Sequence, residues 1–493
     1  MTLELDPDQR RVVACGDRTI RVVAPAGAGK TGTIVERVVD RLRRGRDPRR
    51  VLVLTFDTSA AAAVGTRLDE RAREAGVSME GLRVATLNAF GYGLLRRYAP
   101  VEHRPVVTGD ERDALAAEVR AALARRSPEH DDAVPRAEGR AWAELFGRLK
   151  DALHDPRALD PRALAETLAR ETPEILEEVG RRGFARAVEA VAWLFLAYDR
   201  ALELRGRMDF DDQKLRACQL LRADAALRAR LQRRFAEVVV DEFQDINRLD
   251  FELIRILAGR ASLVVVGDDD QAIYAFRGCS PEWIIELEKR SGRRVTSLEL
   301  RTNYRNPPNL LAAAVKLIRR NRRRIPKRPV ASRADDAGIE LAMFVSPAEQ
   351  AEAVVERIVA ARRRDPRLRW RDAAVLYRMN AESRPLQAAL REAGVPYVVR
   401  EEDDESGVGA RPNDDAVSLL TYFRAKGLQW PIVFLTSCNE GVAPHRRAPV
   451  EDERRLFYVA MTRASSALHA FWLDPESHGA PSRFLREAGL LRR

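Results

Sequence analysis

The stretch VVVDEFQD, residues 238–245, decides the fold of the first part of this chain. Three consecutive β-branched residues followed by two adjacent acids are typical of a buried parallel strand that carries carboxylates at its carboxyl end. Open α/β sheets bind their ligands at that edge. Asp241 and Glu242 suit two tasks, since one acid holds Mg²⁺ and the other orients or deprotonates a water. The alternative is a strand that ends in a solvated acidic turn.

A second predicted strand, in RVVAPAGAGKT (residues 21–31), runs into a loop of small residues and then into the start of a helix. The small residues 27–29 let backbone N–H groups approach phosphate oxygens, and the helix N-terminus favours an anion. In such a loop Lys30 reaches the β- and γ-phosphates, and Thr31 binds Mg²⁺. Ala24 stands where the strict pattern has its first glycine. A tight turn with a surface lysine is the alternative interpretation.

A third strand, in SLVVVGDDDQAIYAFRG (residues 262–278), is predicted to end at the same edge of the sheet. The side chain of Gln271 is both a donor and an acceptor, so it suits contact with a γ-phosphate or an attacking water. Tyr274 and Phe276 follow it. Aromatic side chains beside basic residues stack on unpaired bases, although an isolated pair is more often part of a core.

The C-terminal segment DERRLFYVAMTRA (residues 452–464) is predicted to form one amphipathic helix. Four polar residues are spaced so that they face a cleft: Arg455, Tyr458, Thr462 and Arg463. An arginine directed at a transferring phosphoryl group contributes roughly 10³–10⁵ in rate. The alternative is a solvated charged face.

The formal net charge of +11 and the pI near 9.8 favour a polyanionic partner. The arginines are, however, spread along the whole chain, as a coding bias would also produce. The basic run RRNRRRIPKR (residues 319–328) is either a contact to nucleic-acid phosphates or a solvated helix end.

Length and composition bound the class of protein. A chain of 493 residues has room for about three domains. The four cysteines lie far apart and the histidines form no cluster, which argues against zinc, iron–sulfur and disulfide frameworks and favours a reducing compartment. The N-terminal sequence shows no export signal and no apolar run is long enough to span a bilayer, so we expect a cytoplasmic protein.

The order of strand and helix patterns predicts the domain organisation. Residues 19–99 alternate strands with helices, which indicates a parallel sheet. Residues 100–205 are rich in Ala, Arg, Leu and Glu with helical periodicity, which indicates a helical insertion. Strands then resume, and a second α/β block follows Leu300. Residues 400–416 are acidic and polar and predict a linker.

Taken in chain order, these segments resemble superfamily I helicases of the UvrD, Rep and PcrA family. The motifs that carry the resemblance are LDPDQR (5–10), APAGAGKT (24–31), LTFDTSAAA (54–62), TLNAFG (86–91), MDFDD (208–212), DEFQD (241–245), GDDDQAIYAFRG (267–278), NYRNP (303–307), TYFRAKGLQWPIVF (421–434) and ERRLFYVAMTRA (453–464). The resemblance implies an α/β fold of two RecA-like P-loop NTPase domains with parallel sheets. ATP then lies in the cleft between them and single-stranded DNA lies across their tops.

The resemblance also implies domain boundaries and residue roles. The first RecA-like domain is expected at 1–99 and 206–298, its helical insertion at 100–205, and the second domain at 299–399 and 417–493, with the acidic linker at 400–416. Catalytic roles are implied for Lys30, Glu242, Gln271, Arg305 and Arg463, the last as an arginine finger. Nucleotide contacts are implied for Gln9, Ala26, Gly27, Ala28, Gly29, Lys30, Thr31, Tyr304 and Gln429. Thr31 and Asp241 are the implied ligands of Mg²⁺, and the implied DNA contacts are Phe56, Asn88, Tyr274, Phe276 and Phe423.

The function that the resemblance implies is an ATP-dependent DNA helicase or translocase that moves 3′ to 5′ on single-stranded DNA in repair or replication. Its expected partners are single strands, single-strand to duplex junctions and repair or replication proteins. We expect no membrane partner, and a monomer or weak oligomer.

Departures from the family pattern define the alternatives. Relatives insert a whole subdomain before TYFRAKG, where this chain has only the acidic linker, so ATP hydrolysis and translocation are better supported than processive unwinding. Gly32 replaces an arginine, Asn88 and Phe423 replace histidines, and Gln429 replaces a glutamate. One alternative is therefore a DNA-stimulated ATPase that translocates or strips proteins from single strands without processive unwinding. A second alternative is a P-loop enzyme without a nucleic-acid partner. A third is a helicase of this kind that prefers RNA to DNA.

Overall fold

Two six-stranded sheets, each with all strands parallel, organise the chain in a computed structural model that describes residues 4–135, 137–171, 173–400 and 415–492. The strands of the first sheet are β1 (Thr19–Val23), β2 (Val51–Thr55), β3 (Arg83–Thr86), β4 (Glu237–Val240), β5 (Ser262–Gly267) and β6 (Thr296–Glu299). They lie in the order β3-β2-β4-β5-β1-β6. Val238 and Val240 pack into one core and Val239 into the core on the other face. Burial on both faces explains the unbroken apolar run of β4.

Helices cover both faces of this sheet. The helices that precede the insertion are α1 (Pro7–Ala14), α2 (Lys30–Arg43), α3 (Thr58–Glu74) and α4 (Leu87–Tyr98). An Asp side chain begins two of these helices, since Asp6 accepts from the backbone N–H of Gln9 and Asp57 from that of Ala60.

We call the part of the chain built on the first sheet the first lobe and the part built on the second sheet the second lobe. A helical segment interrupts the first lobe between β3 and β4. Its helices are α5 (Gly109–Arg126), α6 (Pro128–Asp131), α7 (Gly139–Asp151), α8 (Pro161–Glu171) and α9 (Pro173–Leu204). Phe146, Phe195 and Tyr198 lie at the centre of its own core, with ring centroids 5.7 Å and 4.9 Å from that of Phe146. Buried ion pairs join the segment to the lobe, because Lys150 contacts Asp209 at 2.6 Å.

The chain then returns to the first lobe through α10 (Asp212–Ala223), α11 (Ala225–Arg234), α12 (Arg248–Ala258), α13 (Glu282–Ile285) and α14 (Leu287–Ser291). Two short strands, β7 (Thr302–Asn303) and β8 (Val330–Ala331), form a separate parallel pair, and α15 (Pro308–Ile318) lies between them in the chain.

The strands of the second sheet are β9 (Gly338–Phe344), β10 (Ala373–Tyr377), β11 (Tyr397–Arg400), β12 (Val417–Thr421), β13 (Trp430–Leu435) and β14 (Ala464–Leu473), in the order β11-β12-β10-β13-β14-β9. Its helices are α16 (Pro347–Arg364), α17 (Ser383–Glu392), α18 (Val450–Met461), α19 (Pro475–His478) and α20 (Arg483–Glu487). The two parallel sheets confirm the predicted α/β class. The linker predicted at 400–416 lies, apart from its ends, outside the described residues.

One detail differs from the sequence-based expectations, and one strand was not expected. The helix predicted at 452–464 is wrong at its carboxyl end, because α18 stops at Met461 and Ala464 already begins β14. β14 lies between β13 and β9, although small and polar residues interrupt its apolar run. Among the described residues no helix combines the length and the apolar character needed to cross a membrane.

Candidate active site

Three neighbouring strands, β4, β5 and β1, end at one edge of the first sheet. Asp241 follows β4, Asp268 follows β5, and the small-residue loop 24–29 follows β1. Parallel neighbours are about 5 Å apart, so residues at their carboxyl ends become neighbours in space. The candidate residues from three separate motifs therefore share one edge of the sheet.

The loop between β1 and α2 has the backbone shape of a phosphate cradle. Gly27 and Gly29 both have φ of +75°, a left-handed conformation that favours glycine. Gly29 immediately precedes α2, whose first turn leaves N–H groups free to bind an anion. Ala26 and Ala28 are buried and fix the loop against the sheet.

Lys30 and Glu242 form an ion pair across this loop, with Nζ 2.8 Å from Oε2. Burial alone would lower the pKa of Lys30, but Glu242, Asp268 and Asp241 together raise it. Burial likewise favours a high pKa for Glu242, yet Lys30 and Lys426 lower that pKa to about 2. Glu242 is therefore ionised at neutral pH. Its own φ of 50° is left-handed for a residue other than glycine, a strain of roughly 1–3 kcal/mol.

Thr31 and Asp241 fit a magnesium ion by their chemistry. The Thr31 hydroxyl lies 3.5 Å from Oδ2 of Asp241, so two hard oxygen ligands are adjacent. Burial and the charge of Glu242 raise the pKa of Asp241 to about 7, and a bound cation would relieve both effects.

Gln271 connects the first lobe to the second. Its Nε2 donates to Asp268 at 2.6 Å, and its Oε1 lies 3.4 Å from Nη2 of Arg463. Arg463 also donates to the carbonyl oxygens of Val459 and Leu428 at 2.9 Å and 3.1 Å. Burial, and then the nearby Arg305, lower the pKa of Arg463 to about 9.

Arg305 lies beside the phosphate loop. A Cβ added to Gly27 would be 2.7 Å from Cβ of Arg305, so the two backbones are in close contact. Its Nε donates to Gln429 at 2.6 Å, and burial lowers its pKa. Two arginines from the second half of the chain thus lie near Lys30 and Glu242.

Gln9 and Tyr304 lie on the outer side of the same loop. A Cβ added to Gly29 would be 2.9 Å from Nε2 of Gln9 and 4.0 Å from Cε2 of Tyr304. The Tyr304 hydroxyl donates to Asp6 at 2.7 Å, and 45% of the residue is exposed. An exposed ring beside a buried amide is suited to a planar base.

Four aromatic rings form a continuous set, which we call the aromatic row: Phe56, Tyr274, Phe276 and Phe423. Phe56 stacks on Tyr274 with centroids 5.5 Å apart and planes 12° apart. Phe276 contacts Tyr274 and Phe423 edge to face, at 6.1 Å and 5.3 Å. Phe276 is 50% exposed, so the row is not simply part of the core.

Three cations lie around this row. Lys426 lies 4.8 Å from the Tyr274 centroid, Arg277 lies 5.8 Å from it, and Arg378 lies 5.2 Å from that of Phe423. The structure brings four of the five predicted DNA contacts together. The fifth, Asn88, donates instead to the carbonyl oxygen of Phe210 at 2.9 Å.

Comparison with protein families gives a match to the UvrD/REP helicase N-terminal domain over residues 5–291 and to the UvrD-like helicase C-terminal domain over 298–405 and 401–474. The chain belongs to the UvrD/REP helicase family. The two parallel sheets are accordingly its two RecA-like domains.

Three curated relatives illustrate the similarity. DNA helicase II of Escherichia coli (strain K12) is 30% identical over 408 residues, which are 80% of this chain and 51% of that protein. The ATP-dependent DNA helicase UvrD1 of Mycobacterium tuberculosis (strain ATCC 25618 / H37Rv) is 32% identical over 413 residues, 80% and 49% of the two chains. UvrD2 of the same strain is 27% identical over 592 residues, 98% and 81%. The chain spans about half the length of the first relatives.

Lys426 is a site residue that sequence reasoning missed. Its Nζ is 2.6 Å from both carboxylate oxygens of Asp245 and 2.7 Å from the carbonyl oxygen of Gln271. Burial raises the pKa of Asp245 to about 6, although Lys426 opposes this effect. Lys426 lies within the family motif at 421–434, and that was the available signal.

The basic run at 319–328 is, at its carboxyl end, neither a DNA contact nor a solvated helix end. Lys327 is 2.7 Å from Asp268 and 2.8 Å from Asp270, and it is almost fully buried. Arg324 adds a second contact to Asp270 at 2.6 Å. These two cations hold the acidic turn that carries Gln271.

The charged face of α18 is buried, which corrects the interpretation of a solvated helix. Arg455 is 3% exposed and donates to Asp452 at 2.7 Å and to the carbonyl oxygen of Arg323 at 3.1 Å. It therefore supports the fold at this point, while Arg463, beyond the helix, reaches the cleft.

Proposed function

We propose that this chain is an ATP-dependent DNA translocase and helicase, which moves 3′ to 5′ on single-stranded DNA and couples ATP hydrolysis to duplex unwinding in repair or replication. One observation carries the proposal. Arg463 from the second lobe contacts Gln271 of the first lobe, 3.4 Å away, at the edge that holds Lys30 and Glu242. A triphosphate held there would touch both lobes, so its binding and hydrolysis would change how the lobes meet.

The first lobe would hold the phosphates and activate water. While Lys30 is bonded to Glu242, the carboxylate is a weak base, because its pKa is about 2. When Lys30 turns toward phosphate oxygens, Glu242 loses this partner and its pKa rises toward the ordinary value. Glu242 then orients the attacking water and accepts its proton. Thr31 and Asp241 would hold Mg²⁺, which supplies positive charge next to the phosphates when bound.

The second lobe would supply the positive charge that hydrolysis needs. Arg463 is buried and Arg305 is half-buried, and charges act more strongly on a transition state where water is excluded. Gln9, Tyr304 and Gln429 would hold the base and ribose.

Contacts connect the aromatic row to the hydrolytic residues. Bases stacked on the row would contribute roughly 1–3 kcal/mol each. A strand that displaces the Tyr274 ring would also displace Lys426, which lies 4.8 Å from that ring and 2.7 Å from the Gln271 carbonyl oxygen. This chain of contacts supports stimulation of ATP hydrolysis by DNA.

A second candidate is a DNA-stimulated ATPase that translocates or strips proteins without processive unwinding. The favouring observation is the connection between β11 and β12, since only the 16 residues 401–416 separate Arg400 from Val417. Relatives carry a subdomain there by the family resemblance.

Steady-state ATP hydrolysis, with and without single-stranded DNA, tests the proposal. The parent should be stimulated by DNA. Lys30→Ala and Arg463→Ala should each lose turnover by at least about 10²–10³, because each removes a charge that acts on the transferring phosphoryl group. Arg162→Ala is the matched control, because that side chain is 90% exposed on α8.

Three results would contradict parts of this proposal. Turnover indifferent to DNA would indicate a P-loop enzyme without a nucleic-acid partner. Equal stimulation by RNA would contradict the preference for DNA. Translocation along single strands without separation of a forked duplex would favour the second candidate.

A further inference from the structure

Five arginines gather at the end of the first lobe opposite to the phosphate loop. Arg83 begins the edge strand β3, Arg96 and Arg97 lie in the last turn of α4, and Arg230 and Arg234 lie on α11. We call them the arginine cluster. Arg96, Arg97 and Arg230 are exposed, and the other two are half-buried.

Aromatic rings contact Arg83, Arg97 and Arg230 without neutralising them. Arg97 and Arg230, from different helices, lie 5.5 Å and 5.6 Å from the centroid of the same ring, Tyr98. Arg83 lies 5.1 Å from the centroid of Phe90. Cation–π attraction positions a guanidinium group and leaves its charge and its donors available.

Glycine at position 93 makes room for one of the cations. A Cβ added to Gly93 would lie 2.7 Å from Nη2 of Arg83, so the guanidinium group rests against the backbone of α4. Glycine inside a helix lowers helix stability relative to alanine. The gap that Gly93 leaves is filled by a charged group.

Among the described residues, no carboxylate is in contact with the cluster. Within residues 4–135 and the other described ranges, none of its five side chains forms an ion pair with a carboxylate or donates a hydrogen bond. On the same lobe, by contrast, Arg222 and Arg255 share Glu252 at 3.0 Å and 2.7 Å. Burial, and then Arg234, Arg96 and Arg97, lower the pKa of Arg83. Like charges thus repel one another here, and an anion would relieve that repulsion.

Stabilisation of helix ends explains only part of this arrangement. Arginines in a last turn complement the helix dipole, which accounts for Arg96, Arg97 and Arg234. It does not account for Arg83 on a strand, or for Arg230 against the ring of Tyr98.

The helix α4 connects the aromatic row to the cluster. β2 and β3 pair with Thr55 opposite Thr86, so Phe56 and the start of α4 lie side by side. From there α4 rises about 1.5 Å per residue, which places Arg96 about 12 Å beyond Asn88 along the helix. That length covers several phosphate spacings of a strand.

We propose that the arginine cluster binds backbone phosphates of the nucleic-acid strand that leaves the aromatic row along α4. The proposal rests on the proposed function, because it assumes that a strand occupies the row. The contacts are with phosphates alone, so they add affinity and salt dependence but no sequence preference.

Binding of oligothymidylates of increasing length to the full chain, by fluorescence anisotropy at several salt concentrations, tests the proposal. For oligothymidylates long enough to reach the cluster, Arg96→Gln with Arg97→Gln should reduce the slope of log K against log salt by about 1.4, or about 0.7 for each phosphate that is no longer neutralised. The shortest oligothymidylates that bind should show no such change. Gly93→Ala keeps the net charge but displaces Arg83, and it should weaken binding of the longer oligothymidylates alone.

The matched control is Arg363→Gln with Arg364→Gln, which removes the same charge from the exposed last turn of α16 in the second lobe. An unchanged slope in the cluster variant, or an equal change in the control, would overturn the proposal. If one of these outcomes occurs while the parent still shows DNA-stimulated ATP turnover, the proposed function stands and only the role of the arginine cluster is refuted. A parent that binds no oligothymidylate refutes both.

Discussion

Replacement of Lys426 by methionine tests the contact between the lobes most directly. Lys426 contacts both carboxylate oxygens of Asp245 at 2.6 Å and the carbonyl oxygen of Gln271 at 2.7 Å. Its side chain is 9% exposed and that of Asp245 is 2% exposed. Lys426→Met keeps most of the volume and removes only the charge and the donors.

The magnitude follows from the pKa of Asp245, which burial raises to about 6. At about pH 7.5 the ionised carboxyl is favoured over the protonated one by about 2 kcal/mol, since each pH unit above the pKa contributes about 1.4 kcal/mol. Without Lys426 the Asp245 carboxyl can take up a proton. The unpaired carboxyl therefore lowers the free energy of unfolding by no more than about 2 kcal/mol. Removal of the hydrogen bond to Gln271 adds about 1.5–3 kcal/mol. We expect Lys426→Met to lower the free energy of unfolding by about 3–5 kcal/mol in total.

The sign of the pH dependence is part of this prediction. Below about pH 5 the Asp245 carboxyl is already protonated in the parent, because its folded pKa is about 6. The variant should therefore lose less stability near pH 5 than near pH 7.5, by about 2 kcal/mol. The measurement is the free energy of the first unfolding transition in urea at both pH values.

Two variants serve as controls. Lys289→Met changes an exposed lysine and should alter stability by no more than about 0.5 kcal/mol. Asp245→Asn combined with Lys426→Met removes both charges and should recover the part of the loss that comes from the carboxyl, about 2 kcal/mol at about pH 7.5. A loss that is equal at both pH values, or a double variant as unstable as the single one, would refute the reasoning.

Two further predictions concern other parts of the chain. Gly27→Ala should reduce ATP turnover at least tenfold, because Gly27 has φ of +75° and the new Cβ would lie 2.7 Å from Cβ of Arg305. Gly45→Ala is the control, because Gly45 has φ of +85° but open space around it. Equal losses of turnover in the two variants would contradict this explanation. Burial raises the pKa of Asp151 to about 7, above its ordinary 3.8. The parent should therefore lose stability relative to Asp151→Asn as pH rises from 4 to 7, by up to about 1.4 kcal/mol per pH unit. Urea unfolding at several pH values measures this, and the same dependence of unfolding free energy on pH in both proteins would count against it.

Most of the first sheet could be predicted from local sequence. The valines of β4 and β5 form unbroken apolar runs because parallel strands are buried on both faces. Once these strands are taken as parallel, their carboxyl ends must meet, so the proximity of Lys30 to Glu242 follows from the motifs alone. The 2.8 Å contact between them agrees with that reasoning.

The contacts between the lobes could not be predicted in this way. Lys426 and Asp245 are 181 residues apart, and Lys327 and Asp268 are 59 apart. No local pattern distinguishes a lysine that pairs across a cleft from one that faces solvent. The pairing depends on the relative orientation of two sheets, which is set by the sum of many packing contacts. For the same reason the burial of Arg455 was not visible in a sequence that is rich in charge throughout.

A pair of asparagines shows how the lobe that holds the phosphates is joined to the arginine that would complete the site. Nδ2 of Asn303 donates to the carbonyl oxygen of Ala26 at 2.7 Å and lies 3.1 Å from Oδ1 of Asn306. Asn306 in turn donates to the carbonyl oxygens of Thr462 and Ala464, at 3.1 Å and 2.7 Å, on either side of Arg463. Both asparagines are fully buried, so a broken bond would leave a polar group without water.

The family motif NYRNP draws attention to Tyr304 and Arg305, yet its two asparagines make the physical connection. Any shift of the backbone at Ala26 must either stretch these four hydrogen bonds or move the turn that carries Arg463. The cost of leaving such groups unpaired, about 1–3 kcal/mol each, favours joint movement. The phosphate loop and Arg463 should therefore change position together when a triphosphate enters, even though they belong to different sheets.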